Sequence, residues 1–138
     1  FPGTDTVIEE DGHIGHAAVL HGCVIKRNAL VGMGSIVMDG AVVGEESFVA
    51  AMAFVKAGFQ VPPRSLIAGI AGKVVRELTQ DEIDWKSAGT REDQELARRC
   101  LKGLVPATPL AAVEPGRRRL DLSDLPPLYR MKQDAAKS

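Results

Sequence analysis

The sequence predicts an all-β solenoid, a left-handed parallel β-helix built from six-residue repeats and followed by a C-terminal α-helical cap. Two observations carry this expectation. An aliphatic residue recurs every six positions through the first half of the chain, and the 138 residues are 45% hydrophobic but only 4% aromatic. A core must therefore be assembled from small aliphatic side chains, which suits a narrow solenoid interior better than an ordinary globular one.

The period starts with Ile8, Ile14 and Leu20, and continues after a one-residue deletion through Ile25, Val31, Val37, Val43, Val49, Val55, Val61 and Ile67. An α-helix would place apolar residues at a mixture of three and four, and a half-buried sheet would alternate strictly; a pure six matches neither. Four positions after the anchors stand small residues, Ala29, Ser35, Ala41, Ser47, Ala53, Ser65 and Ala71, with Phe59 as the exception. Each hexad then supplies one short strand and one corner, the anchor filling the interior and the small residue allowing a tight turn. About three hexads make a coil, and stacked coils pair their strands in parallel. Gly15, Gly32 and Gly44, directly after anchors, suit places where the backbone bends or another chain comes close.

The repeat ends near Ile67-Ala68-Gly69, giving a solenoid over 1–72, a helical cap over 73–105 and a tail over 106–138. Thr79 with Glu82 has the form of a capping box and Thr90 with Asp93 a looser one, so two helices separated by Gly89 are expected. In the second, Leu96, Cys100, Leu101 and Leu104 line one face that should pack on the solenoid. The tail, with Pro106, Pro109, Pro115, Pro126, Pro127 and the run Arg117-Arg118-Arg119, is expected to be extended or partly disordered.

Charges nearly cancel, 17 basic against 18 acidic residues, so there is no electrostatic footprint for nucleic acid or an anionic membrane. No apolar run approaches the roughly 18 residues of a membrane helix. Cys23 and Cys100 have no CxxC spacing, and a reducing cytoplasm fits best. Cys23 reads as a structural thiol and Cys100 as packing, Trp85 as an anchor against the solenoid, and the arginine run as solvated, with coenzyme A phosphate as its functional alternative.

All three histidines, His13, His16 and His21, fall within residues 12–23, and none occupies an anchor position. Their rings should point outward. His13 reads as surface decoration. His16 and His21 flank a small-residue stretch beside the shortened hexad, where a neighbouring subunit could approach, and are candidate metal ligands.

The stretch Gly15-His16-Ala17-Ala18-Val19-Leu20-His21-Gly22-Cys23, continuing through Ala29-Leu30-Val31-Gly32-Met33-Gly34, resembles the signature of γ-class carbonic anhydrase-like proteins. Residues 53–57, 73–78 and 114–117 resemble one branch of that family, the one holding the phenylacetate-degradation (PaaY) and carnitine-operon (CaiE) members, with the former ranked first. The resemblance implies a homotrimer with zinc sites between subunits, each held by three histidines. His16 and His21 match the second and third ligands, serving different sites: His21 within its own chain's site and His16 in the neighbour's. The first ligand would lie just upstream of Phe1, outside this chain. Two ligands alone would bind zinc weakly. Three neutral imidazoles leave zinc an open position for a water of pKa about 7, able to attack carbon dioxide or an acyl-coenzyme A thioester. The expected function is thus thioester hydrolysis, carbon dioxide hydration or both. Two other classes remain open: a hexapeptide acyltransferase using a histidine base without metal, and a trimeric scaffold that kept the fold and lost its site.

Overall fold

The computed structural model describes residues 3–117 and 127–135. It is a left-handed parallel β-helix of three complete coils and part of a fourth. The first coil comprises β1 (Val7–Ile8), β2 (His13–Ile14) and β3 (Val19–Leu20). The second holds β4 (Val24–Ile25), β5 (Leu30–Val31) and β6 (Ile36–Val37), and the third β7 (Val42–Val43), β8 (Phe48–Val49) and β9 (Phe54–Val55). β10 (Gln60–Val61) and β11 (Ser65–Ala68) begin a fourth. Strands stack into three sheets, β1-β4-β7-β10, β2-β5-β8-β11 and β3-β6-β9, with all these pairs parallel.

Two-residue strands cannot hold themselves, so each depends on the coil above and below for hydrogen bonds and on the interior for apolar burial. The anchors from Ile25 to Ile67 are the interior, forming one cluster with Cys23, Ala29, Ala41 and Ala53. Ile8 is still about half exposed, and Ile14 and Leu20 are half-buried, because among the described residues the first coil has a neighbour on one side only. The one-residue deletion shows in the register: Ile8 pairs with Ile25, one residue closer in sequence than Ile25 is to its own partner Val43. Buried serines at the corners are satisfied, Ser35 Oγ donating to the Gly32 carbonyl at 2.7 Å and Ser47 Oγ to the Pro62 carbonyl at 2.6 Å. Phe59, the break in the small-residue pattern, is half-buried against the core.

At Gly32 the reason for the residue is the neighbouring coil. A Cβ there would lie 2.5 Å from the Ala51 nitrogen and 2.6 Å from the Val49 carbonyl oxygen, contacts that no backbone tolerates. The glycine is set by coil-to-coil approach and not by a left-handed conformation. Ala71, placed in the small-residue series by spacing, lies exposed beyond the last parallel strand.

The parallel stacking ends where β11 turns back into β12 (Lys73–Glu77), an antiparallel partner carrying a bulge at Leu66/Ile67. The chain then reaches Leu78 and Ile83, which are buried against Phe48, Leu30 and Leu66 and cover the outer face of the β2-β5-β8-β11 sheet. The capping box forms: Thr79 Oγ1 accepts from the Glu82 N–H at 3.4 Å, and Glu82 Oε2 accepts from the Thr79 N–H at 3.0 Å.

Helix α1 (Gln80–Gly103) runs without interruption through Gly89, where two helices were expected. An interior glycine costs about 1 kcal/mol, which good helix-forming flanks can absorb. The chain divides into two compact units, residues 1–87 and 88–138. The second holds the Leu96, Cys100, Leu101 and Leu104 face. Leu101 and Leu104 are 88% and 80% exposed, and only Cys100 is half-buried. Residues 104–117 lack regular structure, but the tail is not wholly extended, since α2 (Leu128–Ala135) follows. Phe1, Pro2, Arg118, Arg119 and Pro126 lie outside the described residues. No helix among the described residues is long and apolar enough to cross a membrane.

Candidate functional site

The site is built on the β3-β6-β9 sheet. Its inward residues Leu20, Val37 and Val55 join the core, so the alternate residues Val19, Ile36 and Phe54 face outward. Val19 is 50% and Ile36 37% exposed, an apolar face not covered by the helix that covers the neighbouring sheet.

His16 and His21 stand at opposite ends of β3 on this face. His16 lies in the turn that enters the strand, and its ring is exposed. Its backbone carbonyl accepts from the Gly34 N–H at 2.9 Å, and the Met33 carbonyl accepts from the Met52 N–H one coil further, so the corners stack in column. His21 directly follows β3, in the corner shortened by one residue. Its Nδ1 is 2.8 Å from Asp39 Oδ1, the pair being partly exposed. His13 is half-buried on β2, opposite Leu30 and away from this face.

Asp39 is the functional residue that sequence reasoning missed. It occupies the same corner one coil up, held there by backbone bonds: the Gly40 N–H donates to the Gly22 carbonyl at 2.7 Å, and the Gly58 N–H donates to the Asp39 carbonyl at 2.8 Å. Counting along the repeat does not pair it with His21, because Leu20 pairs with Val37, so that Met38 follows in register above His21 and Asp39 stands above the Gly22 turn. Gly22 makes room for it. Its φ is +58°, and a Cβ would meet Asp39 Oδ1 at 2.9 Å, Thr4 Cβ at 3.1 Å and the Thr4 carbonyl oxygen at 3.2 Å. The Gly22 N–H donates to Thr6 Oγ1 at 3.0 Å, so the turn after His21 is tied to the start of its own coil.

Cys23, two residues on, points into the core and is fully buried. Burial pushes its thiol pKa up, against backbone hydrogen bonds that lower it and with the Asp39 charge adding to the rise. A raised pKa leaves little thiolate, as a structural thiol requires. Trp85 is half-buried on α1, and Arg117 is exposed.

Among the described residues, no three His, Cys, Asp or Glu side chains gather closely enough to hold a metal ion. One chain alone therefore does not form a three-ligand centre from these residues. The donor set does fit a chain's share of a site completed elsewhere. His21 has one ring nitrogen engaged by a carboxylate and the other left to bind, the arrangement that orients metal-ligating imidazoles.

No family model matches the chain. The carnitine operon protein CaiE of Salmonella agona is 56% identical over 117 residues, 85% of this chain and 59% of that protein. A hexapeptide transferase family protein from Anaplasma phagocytophilum superposes with a TM-score of 0.66 at 41% identity, over 68% of this chain and 57% of that one. Perosamine N-acetyltransferase from Caulobacter crescentus, a mutant bound to CoA and GDP-perosamine, gives 0.50 at 26% identity, over 53% of this chain and 34% of that one. The chain spans about three fifths of the length of the curated relatives it matches. PaaY, ranked first on motifs, is a sibling branch to the one matched here. The chain belongs to the γ-carbonic anhydrase-like hexapeptide-repeat family that includes the carnitine operon protein CaiE.

Proposed function

We propose that the chain is the subunit of a homotrimeric zinc enzyme that hydrolyses acyl-coenzyme A thioesters, hydrates carbon dioxide, or does both. The observation that carries this reading is the placement of His16 and His21 at the two ends of one outward apolar strand, with the His21 ring held by Asp39. In a closed ring of identical subunits every contact is heterologous and joins two different patches of the chain, on this reading the two ends of this face. His16 of one subunit then faces His21 of its neighbour across a contact lined by Val19 and Ile36.

Bound zinc would supply Lewis acidity and a water of pKa near 7. The chain's own residues do the rest. His21 and His16 present neutral ring nitrogens to the metal, Asp39 fixes the first of them, and the apolar face excludes bulk water from the contact. An interface cleft of this kind admits either a small linear molecule or the acyl end of a longer one.

A second reading is favoured by the transferase neighbours. The same His21–Asp39 pair would serve as a general base for acyl transfer from acetyl-coenzyme A without metal.

The test is metal analysis and turnover of the purified chain and of the product of its full reading frame, with and without a chelator. Zinc near one per subunit, with thioester or carbon dioxide turnover abolished by the chelator, is the expected result. Acetyl transfer that survives the chelator would replace the proposal with the transferase. A trimer with neither metal nor turnover would leave a scaffold.

A further inference from the structure

We infer that Asp39 is the positioning residue of this site: it fixes the tautomer of His21 so that Nε2 carries the lone pair. The argument begins with the donor inventory. An ionised carboxylate can only accept a hydrogen bond, so the 2.8 Å contact between Asp39 Oδ1 and His21 Nδ1 requires the proton to reside on Nδ1. A neutral imidazole has one proton on its nitrogens, and Nε2 is then left bare. That nitrogen is the one a metal or a transferable proton needs.

The surroundings show that this arrangement is constructed by several residues together. The ring and the carboxylate come from successive coils, and their backbones are joined by the Gly40 N–H to Gly22 carbonyl bond of 2.7 Å. Only glycine at 22 leaves the carboxylate its place, since a side chain there would meet Asp39 Oδ1 at 2.9 Å as well as the Thr4 backbone. Thr6 Oγ1 holds the Gly22 N–H, fixing the turn from below. The charge of Asp39 also reaches the buried Cys23 thiol, whose pKa it helps to raise. The aspartate thus sits at a corner where one coil, its neighbour and the shortened hexad are all matched to it.

The consequence for metal binding rests on the proposed zinc site, but the tautomer does not, and the two are read separately. The first measurement is long-range proton–nitrogen correlation on the 15N-histidine-labelled chain, without added metal at neutral pH. The wild type should show His21 protonated at Nδ1. Asp39→Ala should move it predominantly to the Nε2–H form, and Asp39→Asn, whose amide can accept or donate, should give both. Unchanged His13 and His16 signals report that the fold is intact. A wild-type His21 already in the Nε2–H form, or one that keeps Nδ1–H in Asp39→Ala, would overturn the inference.

The second measurement is competition for zinc against a chromophoric chelator, made on the product of the full reading frame because two histidine ligands alone would bind zinc weakly. Asp39→Asn should weaken zinc binding by about 10- to 100-fold, the usual loss when a carboxylate behind a metal-ligating histidine is removed. If the wild type binds no zinc, the metal reading fails while the spectra still decide the role of Asp39. If Asp39→Asn binds zinc as tightly as the wild type, Asp39 is not a positioning residue.

Discussion

Lys86 Nζ, on the first helix, donates to Asn28 Oδ1 in the second coil at 2.8 Å, joining residues 58 positions apart. The same ammonium donates to the Asp11 carbonyl in the first coil at 2.5 Å. Asn28 completes the link through its own Nδ2, which donates to Ser87 Oγ at 2.9 Å. Asp11 and Asn28 occupy equivalent corner positions with φ of +56° and +54°, so one lysine ties two successive turns to the helix. It does so while only 2% exposed.

Such burial has a pH signature. Desolvation lowers the Lys86 pKa to about 8, against the opposing pull of Asp11 and Glu46. An unfolded lysine titrates near 10.4, so between about pH 8 and 10.4 the unfolded chain binds more protons than the folded one, and stability contributed by this group rises with pH. Below pH 8 the charge is buried at a cost of up to about 3 kcal/mol. Urea unfolding at pH 7.5 and 10 should show a smaller pH dependence in Lys86→Met than in the wild type. An identical dependence in both would remove the assignment.

The packing at Gly32 predicts the effect of a single methyl group. Gly32→Ala forces a Cβ to within 2.5 Å of the next coil's backbone, and the nearest atoms, from Val49, Ala50 and Ala51, are all backbone, so no side chain can move aside. The expected cost is about 1–3 kcal/mol, read as a lower urea midpoint with an unchanged slope. Gly89→Ala, where the added atom meets nothing within 4 Å, should instead be neutral or stabilising by up to about 1 kcal/mol.

The helix start offers a graded pair. Glu82 is buried and accepts from the Thr79 N–H and from Arg76 Nη1 and Nη2 at 2.8 and 2.7 Å. Thr79→Ala should cost about 1 kcal/mol, the usual value of a cap. Glu82→Ala should cost more, about 2–3 kcal/mol, because charge-assisted bonds to Arg76 go with it. Equal midpoints for the two variants would show that the Arg76 contact contributes nothing.

The interior was legible because a period needs no knowledge of contacts: each aliphatic from Ile25 to Ile67 fell on the inside of a coil by counting alone. The capping box was legible for the same reason, being local. What escaped the sequence depends on relations between coils or on burial against type. Asp39 is far from His21 along the chain and adjacent only once coils are stacked. Lys86 belongs to a residue type that is almost never buried, so a patterning argument places it in solvent. The helix through Gly89 was lost by giving a turn signal more weight than its roughly 1 kcal/mol warrants. The exposed Leu101 and Leu104 show the converse, since helical spacing marks them as a buried face and exposure is not read from spacing.

The division of His16 and His21 between neighbouring subunits can be tested by mixing. In the product of the full reading frame, His16→Ala and His21→Ala trimers should each lose zinc through gel filtration, since each site would lack one ligand. Unfolded together in equal amounts and refolded, the two chains should assemble at random. A site that takes His16 from one subunit and His21 from the next is then intact in about one quarter of interfaces, by the heterologous geometry of a ring. Zinc retention in the mixture near a quarter of the wild-type value is the expected outcome. Retention near zero would mean that both histidines serve one site within the same chain, because no mutant subunit carries the pair.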